Sequence, residues 1–117
     1  MNVAAIKKFC ATLPGATGDI KWGIDQVYSI GGKMFCVAHV DQKGLATVGF
    51  KVDDDLFLFY TDRAGFIPAP YLARAKWVKV IDLKKVPDAE LKSLIKRSHA
   101  LIAMKLTKKC RMELGIG

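Results

Sequence analysis

The chain has 117 residues and a net charge of +8, and 51% of its residues are apolar. This size and composition are typical of one folded domain, and they exclude an intrinsically disordered chain. No stretch approaches the roughly 20 consecutive apolar residues that a membrane helix needs, and Lys7 and Lys8 interrupt the first apolar pattern, where an export signal needs a longer run. We therefore expect one soluble, cytoplasmic domain over residues 1–117 that does not engage a membrane.

The first predicted element is a helix from Asn2 to Leu13, because apolar residues recur there at helical spacing and Pro14-Gly15 ends the pattern. Asn2 is the expected N-cap of this helix. Gly31-Gly32 suits a two-residue hairpin turn between strands. Three strands, which form a predicted antiparallel meander, lie at residues 26–30, 33–40 and 45–52.

The second half of the chain mixes helices with one further strand. Asp53-Asp54-Asp55 favours a short helix at 56–60, because acidic residues cap a helix and suit the positive end of its dipole. A loop marked by Gly and Pro follows at 62–71. The remaining elements are a strand at 76–82, a long helix that Pro87 opens, and a short final helix that Thr107 caps. The order α-β-β-β-α-β-α-α predicts an α+β fold with helices flanking an antiparallel sheet.

Several short strings in this chain resemble the MmcQ/YjbR family in their order and spacing, over essentially the whole length. The strings are Leu13-Pro14-Gly15, Trp22-Gly23, Gly32-Lys33-Met34-Phe35, Phe50-Lys51, Pro70-Tyr71, Trp77-Val78, Glu90-Leu91 with Ser98, and Lys105-Leu106 followed by Lys108-Lys109. The resemblance implies a compact α+β fold described as a double wing, and a DNA-binding role. It implies no catalytic residues. Asp53-Asp54-Asp55 departs from the family pattern, which argues against DNA passing close to that corner.

Patterns typical of metal or catalytic sites are scarce. Cys36 and His39 form a close Cys/His pair, but residues three apart on a strand point to opposite faces, so no zinc site is expected. Ser98 and His99 are neighbours on a helix and face different directions. We interpret Ser98 as bonded to a carbonyl one turn back, and His99 as an exposed surface residue. We expect neither an enzyme nor a cofactor.

Positive charge is concentrated in the second half of the chain, since residues 1–62 carry a net −1 and residues 63–117 a net +9. A basic surface attracts DNA or RNA, and the alternative is that the charge only keeps the domain soluble. Without an Asn or Gln beside the helical lysines to read adenine, binding should be electrostatic and weakly sequence-selective. The candidate residues near the strands are Lys33, Lys51, Lys76 and Lys79, and those on the last helices are Lys92, Lys96, Arg97, Lys105, Lys108, Lys109 and Arg111.

The predicted loop at 64–71 is the basis of a second hypothesis, a module that binds a small ligand or a protein. Phe66, Ile67 and Tyr71 are its candidate contact residues, because the segment is unusually apolar for a surface loop. The alternative is a lid packed on the core. Exposure of Phe66 and Ile67 would favour a partner, and burial would argue against one. We expect a monomer, with a weak dimer as the alternative.

Overall fold

The computed structural model describes residues 1–22 and 24–116; Gly23, part of one of the strings quoted above, and Gly117 lie outside them. The helices are α1 Val3–Ala11, α2 Phe57–Thr61, α3 Asp88–Ala103 and α4 Lys108–Glu113. The strands are β1 Ala16–Lys21, β2 Asp25–Ile30, β3 Lys33–Val40, β4 Ala46–Lys51, β5 Phe66–Pro68 and β6 Trp77–Val80. They form an antiparallel sheet in the order β1-β2-β3-β4-β6-β5. The α+β fold predicted from the sequence is confirmed.

Two strands, β1 and β5, were not predicted. The side chains of β1 are partly or fully exposed, and Gly18 and Asp19 interrupt its pattern, so it lacks the apolar alternation of a half-buried strand. It nevertheless pairs with β2 along its whole length. The other strand, β5, has 3 residues and lies inside the predicted loop, where it pairs with β6. Both are edge strands, which need less apolar patterning than central ones.

One face of the sheet is covered by α1 and α3. Ile6 and Cys10 project from α1, and Leu91 and Ile95 project from α3, all fully buried. They pack against inward-facing residues of the central strands, among them Phe35, Phe50, Val48, Val78 and Val80. Burial of each such side chain contributes roughly 1.5–3 kcal/mol, so this layer supplies most of the stability of the fold.

The predicted helix caps at Asn2 and Thr107 are confirmed, whereas the cap predicted from Asp53-Asp54-Asp55 is wrong, because neither the 3-10 turn Asp54–Leu56 nor α2 has a side-chain cap. The Asn2 side chain accepts a hydrogen bond from the Ala5 backbone N–H at 2.8 Å, which starts α1. Thr107 does the same for Cys110 at the start of α4, at 3.1 Å. Each side-chain oxygen satisfies a backbone donor that has no partner inside the helix.

Ser98 joins α3 to the sheet, and the sequence interpretation of its partner was wrong. Its hydroxyl donates to the Phe35 carbonyl at 2.7 Å and accepts from the Lys51 backbone N–H at 2.9 Å. Phe35 and Lys51 are next in register after the pair Cys36 and Phe50. The hydroxyl therefore bridges the two strands at the point where their direct pairing ends.

His99 is buried rather than exposed, which also corrects the sequence interpretation. Its Nε2–H donates to the Pro14 carbonyl at 2.7 Å, and its ring meets Phe35 edge to face at 5.1 Å. The hydrogen bond fixes the end of the α1–β1 connection to α3. This histidine is part of the core and is not positioned to act as a surface base.

The opposite face of the sheet, called the open face below, is not covered by any α-helix in the described part of the chain. Val37, Gly49 and Lys79 lie side by side on it, in register across β3, β4 and β6. The connection from β5 to β6 folds over one end of this face and covers Trp77, which is 4% exposed. None of the helices within residues 1–22 and 24–116 combines the length and hydropathy that crossing a bilayer requires.

Candidate functional site

A groove of about 530 Å³ lies on the open face. Its floor is the row of Val37, Gly49 and Lys79, together with Thr47. Aromatic and polar side chains surround this floor, among them Trp22, Tyr71, Trp77, Asp25 and His39. They come from two connections and three strands, so the folded sheet is needed to bring them together.

Two aromatic residues of the groove are exposed. Trp22 is 67% exposed, and Tyr71 is fully exposed. Large aromatic side chains are normally at least half buried, because burial of their rings is strongly favourable. Trp77, at 4% exposed, follows that rule, whereas Trp22 does not.

The exposed aromatic residues also have unusual backbones. Trp22 has a φ of 54° and Tyr71 a φ of 67°, both in the left-handed region that favours glycine. Tyr71 is the third residue of a turn closed by the Leu72 N–H on the Ala69 carbonyl at 3.1 Å, with Pro70 in the second position. In a type II turn this third position requires a positive φ and is normally glycine. Tyr71 therefore occupies a turn position at which glycine would have a lower conformational free energy.

Asp25 and His39 form a pair at one side of the groove. The His39 Nδ1–H donates to Asp25 Oδ1 at 2.5 Å, across adjacent strands. Cys36 lies in the core on the other face, so the prediction that Cys36 and His39 diverge is confirmed. Over the described part of the chain, no three His, Cys, Asp or Glu side chains are close enough to hold a metal ion.

Lys51, one of the candidate residues for binding nucleic acid, is buried and is not accessible to an anionic ligand. It is 5% exposed, and its ammonium donates to the Ala75 carbonyl at 2.5 Å, with Asp54 at 3.8 Å. Burial, followed by the nearby Lys105 ammonium, lowers the pKa of Lys51 below its ordinary value. Lys51 is thus a structural residue, and Lys79 remains in the groove without a salt bridge among the residues described.

The cations of the last two helices lie on the other side of the molecule from the groove. Lys92, Lys96, Lys105, Lys108 and Lys109 are exposed, and Arg111 is half-buried. Lys92 also lies over the Phe9 ring of α1, with its ammonium 6.0 Å from the ring centre. Five accessible lysines therefore lie on α3, on α4 and on the connection between these helices.

Arg97 is the exception among these helical cations. It forms a two-pronged pair with Asp53, at 2.9 Å and 2.7 Å, and this pair lowers the pKa of Asp53. One residue of the acidic run therefore fixes an arginine of α3, a contact that sequence spacing could not show. Arg97 is already engaged and adds less to a surface for anions.

Further cations converge at one end of the sheet. Lys33 follows the hairpin turn at Gly31, a residue whose added Cβ would meet Leu106 and Cys110. Lys76 and Lys105 both lower the pKa of Lys51 through their charges, which places them beside it. Lys76 also lies 5.2 Å from the Phe57 ring centre and is half-buried. The turn before Lys33 therefore lies against the α3–α4 connection, which contains Lys105.

The residues of the predicted partner loop are divided. Phe66 is buried, stacks on Tyr60 at 5.7 Å and lies under the Arg63 guanidinium at 5.2 Å. Ile67 is half-buried, and Tyr71 is exposed. Arg63 also pairs with Glu90 of α3, which ties the start of the loop to the helical layer. Phe66 therefore acts as a core residue, and Tyr71 is the part of this segment that faces the groove.

Sequence reasoning missed Asp25, His39 and Gly49. Asp25 and His39 are 14 positions apart, and no short motif joins them. The one available signal was Gly49, since an isolated glycine inside a strand pattern often marks a close approach of another group. The place of Gly49 in the groove can be recognised only from the register of β3, β4 and β6.

Comparison with known proteins bears on the fold and the family. The family model YjbR matches residues 11–101. The chain belongs to the YjbR family. It is also similar to a crystal structure of a protein from Pseudomonas syringae, with 19% identity and a TM-score of 0.74, covering 87% of this chain and 99% of that one. At this level of identity, the likeness supports the fold of this YjbR-family chain and no statement about its function. No curated protein matches the chain.

Proposed function

We propose that this YjbR-family protein binds nucleic acid, DNA or RNA, through phosphate contacts from the cations on its helical side. The observation that carries the proposal is an imbalance of charge between Leu91 and Ile116. This stretch holds seven bases against one acid, Glu113. Among the described residues, Arg97 alone of the seven forms a salt bridge.

The dimensions of the helical side suit a charged polymer. With 16 residues, α3 is roughly 24 Å long at about 1.5 Å per residue. A duplex presents one phosphate charge for about every 1.7 Å of its axis. Several lysines of α3 and α4 can therefore contact phosphates of one duplex at the same time. The overall charge of +8 adds to this attraction at longer range.

The same surface offers little that distinguishes one base from another. Lysine is a flexible point charge that contacts phosphates and carries no sequence information in doing so. No Asn or Gln occurs between Leu91 and Ile116, and His99 is buried. We therefore propose binding that is mainly electrostatic and weakly sequence-selective.

Charge reversal on α4 tests the proposal. Lys108 and Lys109 lie in the first turn of α4, where positive charge opposes the helix dipole, so K108E/K109E should leave the helix at least as stable. The matched control is K43E/K84E, which makes the same change of charge at two exposed lysines elsewhere. Fluorescence anisotropy with a labelled duplex in 50 mM salt should show K108E/K109E binding roughly tenfold or more weakly, and the control within about threefold of the parent.

Salt dependence separates phosphate contacts from other binding. The logarithm of the affinity should fall with the logarithm of salt by about 0.9 for each phosphate contacted, and K108E/K109E should make the slope shallower by roughly 2. A parent protein that binds neither DNA nor RNA at micromolar concentration in 50 mM salt contradicts the proposal. Equal losses in K108E/K109E and K43E/K84E contradict it too, because they would show a response to net charge without a defined surface.

A further inference from the structure

We propose that the groove on the open face is a binding site for a small planar aromatic molecule that carries an acidic group. In this arrangement the ring lies against Trp22 and Tyr71, and the acidic group reaches Lys79. The site is separate from the basic helical side, since α1 and α3 cover the opposite face of the sheet. The inference therefore does not depend on nucleic-acid binding.

The backbone conformation of the two exposed aromatic residues supports a binding role for the groove. A positive φ costs free energy for residues other than glycine, and such strain is usually retained at functional positions. Neither Trp22 nor Tyr71 offsets this cost by burial, since they are 67% and fully exposed. Both side chains line the same groove. Aromatic faces held in place beside a concave surface are typical of sites that stack a planar ring.

The glycine in the floor of the groove, Gly49, also supports a binding role. A glycine inside a strand weakens it, and Gly49 is in the extended backbone of β4 with no positive φ. A Cβ added there would have its nearest contact at 3.6 Å, to the Val78 carbonyl, which is an ordinary distance. Neither backbone conformation nor packing requires glycine at this position. A side chain added there would stand in the floor of the groove between Val37 and Lys79, with its Cβ 3.9 Å from the Trp77 ring.

The charged side chains of the groove indicate which kind of ligand it would bind. Asp25 is already engaged by His39 at 2.5 Å, so the acid of the groove has a partner. Lys79 has no salt bridge among the described residues. The Lys79 ammonium is therefore the cation of the groove that has no ion-pair partner among the described residues, which favours an acidic group on the ligand.

Size and charge together favour a small molecule over a nucleic acid at this face. The groove of about 530 Å³ falls within the roughly 300–1,000 Å³ that ligand pockets occupy. A phosphate backbone needs an array of cations, and Lys79 is the one Lys or Arg that lines the groove within the described residues. A single anionic substituent matches a single lysine.

The probe for this site is 2-naphthoate, with the uncharged 2-naphthamide as its isosteric partner. Titration into the full-length, isotope-labelled protein should shift backbone amide NMR signals of β3, β4 and β6 around Val37 and Lys79, with a dissociation constant near 1 mM or tighter. The amide should bind roughly tenfold more weakly, because it loses the charged hydrogen bond to Lys79.

Three substitutions test the roles of the floor, the exposed ring and the lysine of the groove. G49V fills the floor with a side chain that strands favour, so it should keep the fold and abolish 2-naphthoate binding. Y71G removes an exposed ring and should weaken binding roughly tenfold. K79M should abolish the difference between the two probes. The matched controls at exposed positions outside the groove are K84M and F59A, and both should bind as the parent does.

The inference is overturned if millimolar 2-naphthoate shifts no groove signal, or if folded G49V binds as the parent does. It is also overturned if sedimentation shows a dimer that G49V dissociates, since the face would then be an interface between copies. Displacement of the probe by an oligo-thymidine strand would assign the groove to nucleic acid. Loss of DNA binding in K108E/K109E with unchanged naphthoate binding supports two separate sites.

Discussion

The two faces of the sheet use similar residue types for different purposes. On the face under α1 and α3, aromatic rings such as Phe35 and Phe50 are fully buried, and the Ser98 hydroxyl satisfies two backbone groups at once. On the open face, Trp22 and Tyr71 remain exposed on left-handed backbones. Covered aromatic residues stabilise this fold, whereas exposed ones in strained conformations cost stability. This contrast between the faces is the basis of our proposal that the open face binds a ligand.

The largest expected effect concerns the polar bridge of the covered face. S98A leaves the Phe35 carbonyl and the Lys51 N–H without their buried partner, and should lower the free energy of unfolding by about 2–3 kcal/mol. The control S93A changes an exposed serine on the same helix and should stay within about 0.5 kcal/mol. Chemical denaturation measures both. A loss below about 0.5 kcal/mol in S98A would show that the two strands pair directly without the hydroxyl.

A smaller effect is expected where the β5 connection is tied to the covered side. Arg63 lowers the pKa of Glu90 below its ordinary value near 4.5, so this ion pair stabilises the fold above that pH. Its contribution is lost as the pH falls through the lowered pKa, because protonation removes the charge. E90Q should therefore cost about 0.5–1 kcal/mol at pH 7, since both side chains are partly exposed.

Unfolding curves of the parent and E90Q at several pH values check this sign. The difference in their free energies of unfolding should be constant from pH 7 to pH 5 and should shrink below pH 4.5. A difference that persists unchanged into strong acid would mean that the pair contributes through packing of the side chains rather than through charge.

The smallest expected change is at the floor of the groove. G49V should alter the free energy of unfolding by less than about 1 kcal/mol, and in the stabilising direction, since valine suits a strand better than glycine and the nearest contact is 3.6 Å. Thermal denaturation measures it. A large loss of stability would show that the open face is as tightly packed as the covered one, which would remove the contrast between them.

The covered face was the easier one to predict from sequence. The apolar spacing of α1 and α3 and the caps at Asn2 and Thr107 are local signals, and they placed these elements correctly. The partners of Ser98 and His99 could not be predicted, because they lie 47 to 85 positions away along the chain. Long-range contacts of this kind depend on the assembled fold.

The open face was harder to predict because its features are exceptions to local rules. Tyr71 occupies a turn position that sequence rules assign to glycine, and β1 lacks the apolar alternation of a buried strand. The lysine pattern predicted neither the burial of Lys51 nor the engagement of Arg97 by Asp53. Whether a lysine or arginine is buried, paired or accessible depends on its neighbours in the folded structure, and the sequence pattern does not show those neighbours.

The most direct test of this contrast measures stability and binding together in Y71G. Glycine relieves the φ of 67° and removes a ring that buries nothing, so the free energy of unfolding should stay the same or rise by up to about 1 kcal/mol. The affinity for 2-naphthoate should fall roughly tenfold in the same protein. A Y71G protein that is clearly less stable, or that binds the probe as tightly as the parent, would contradict the view that this tyrosine is held for binding at the expense of stability.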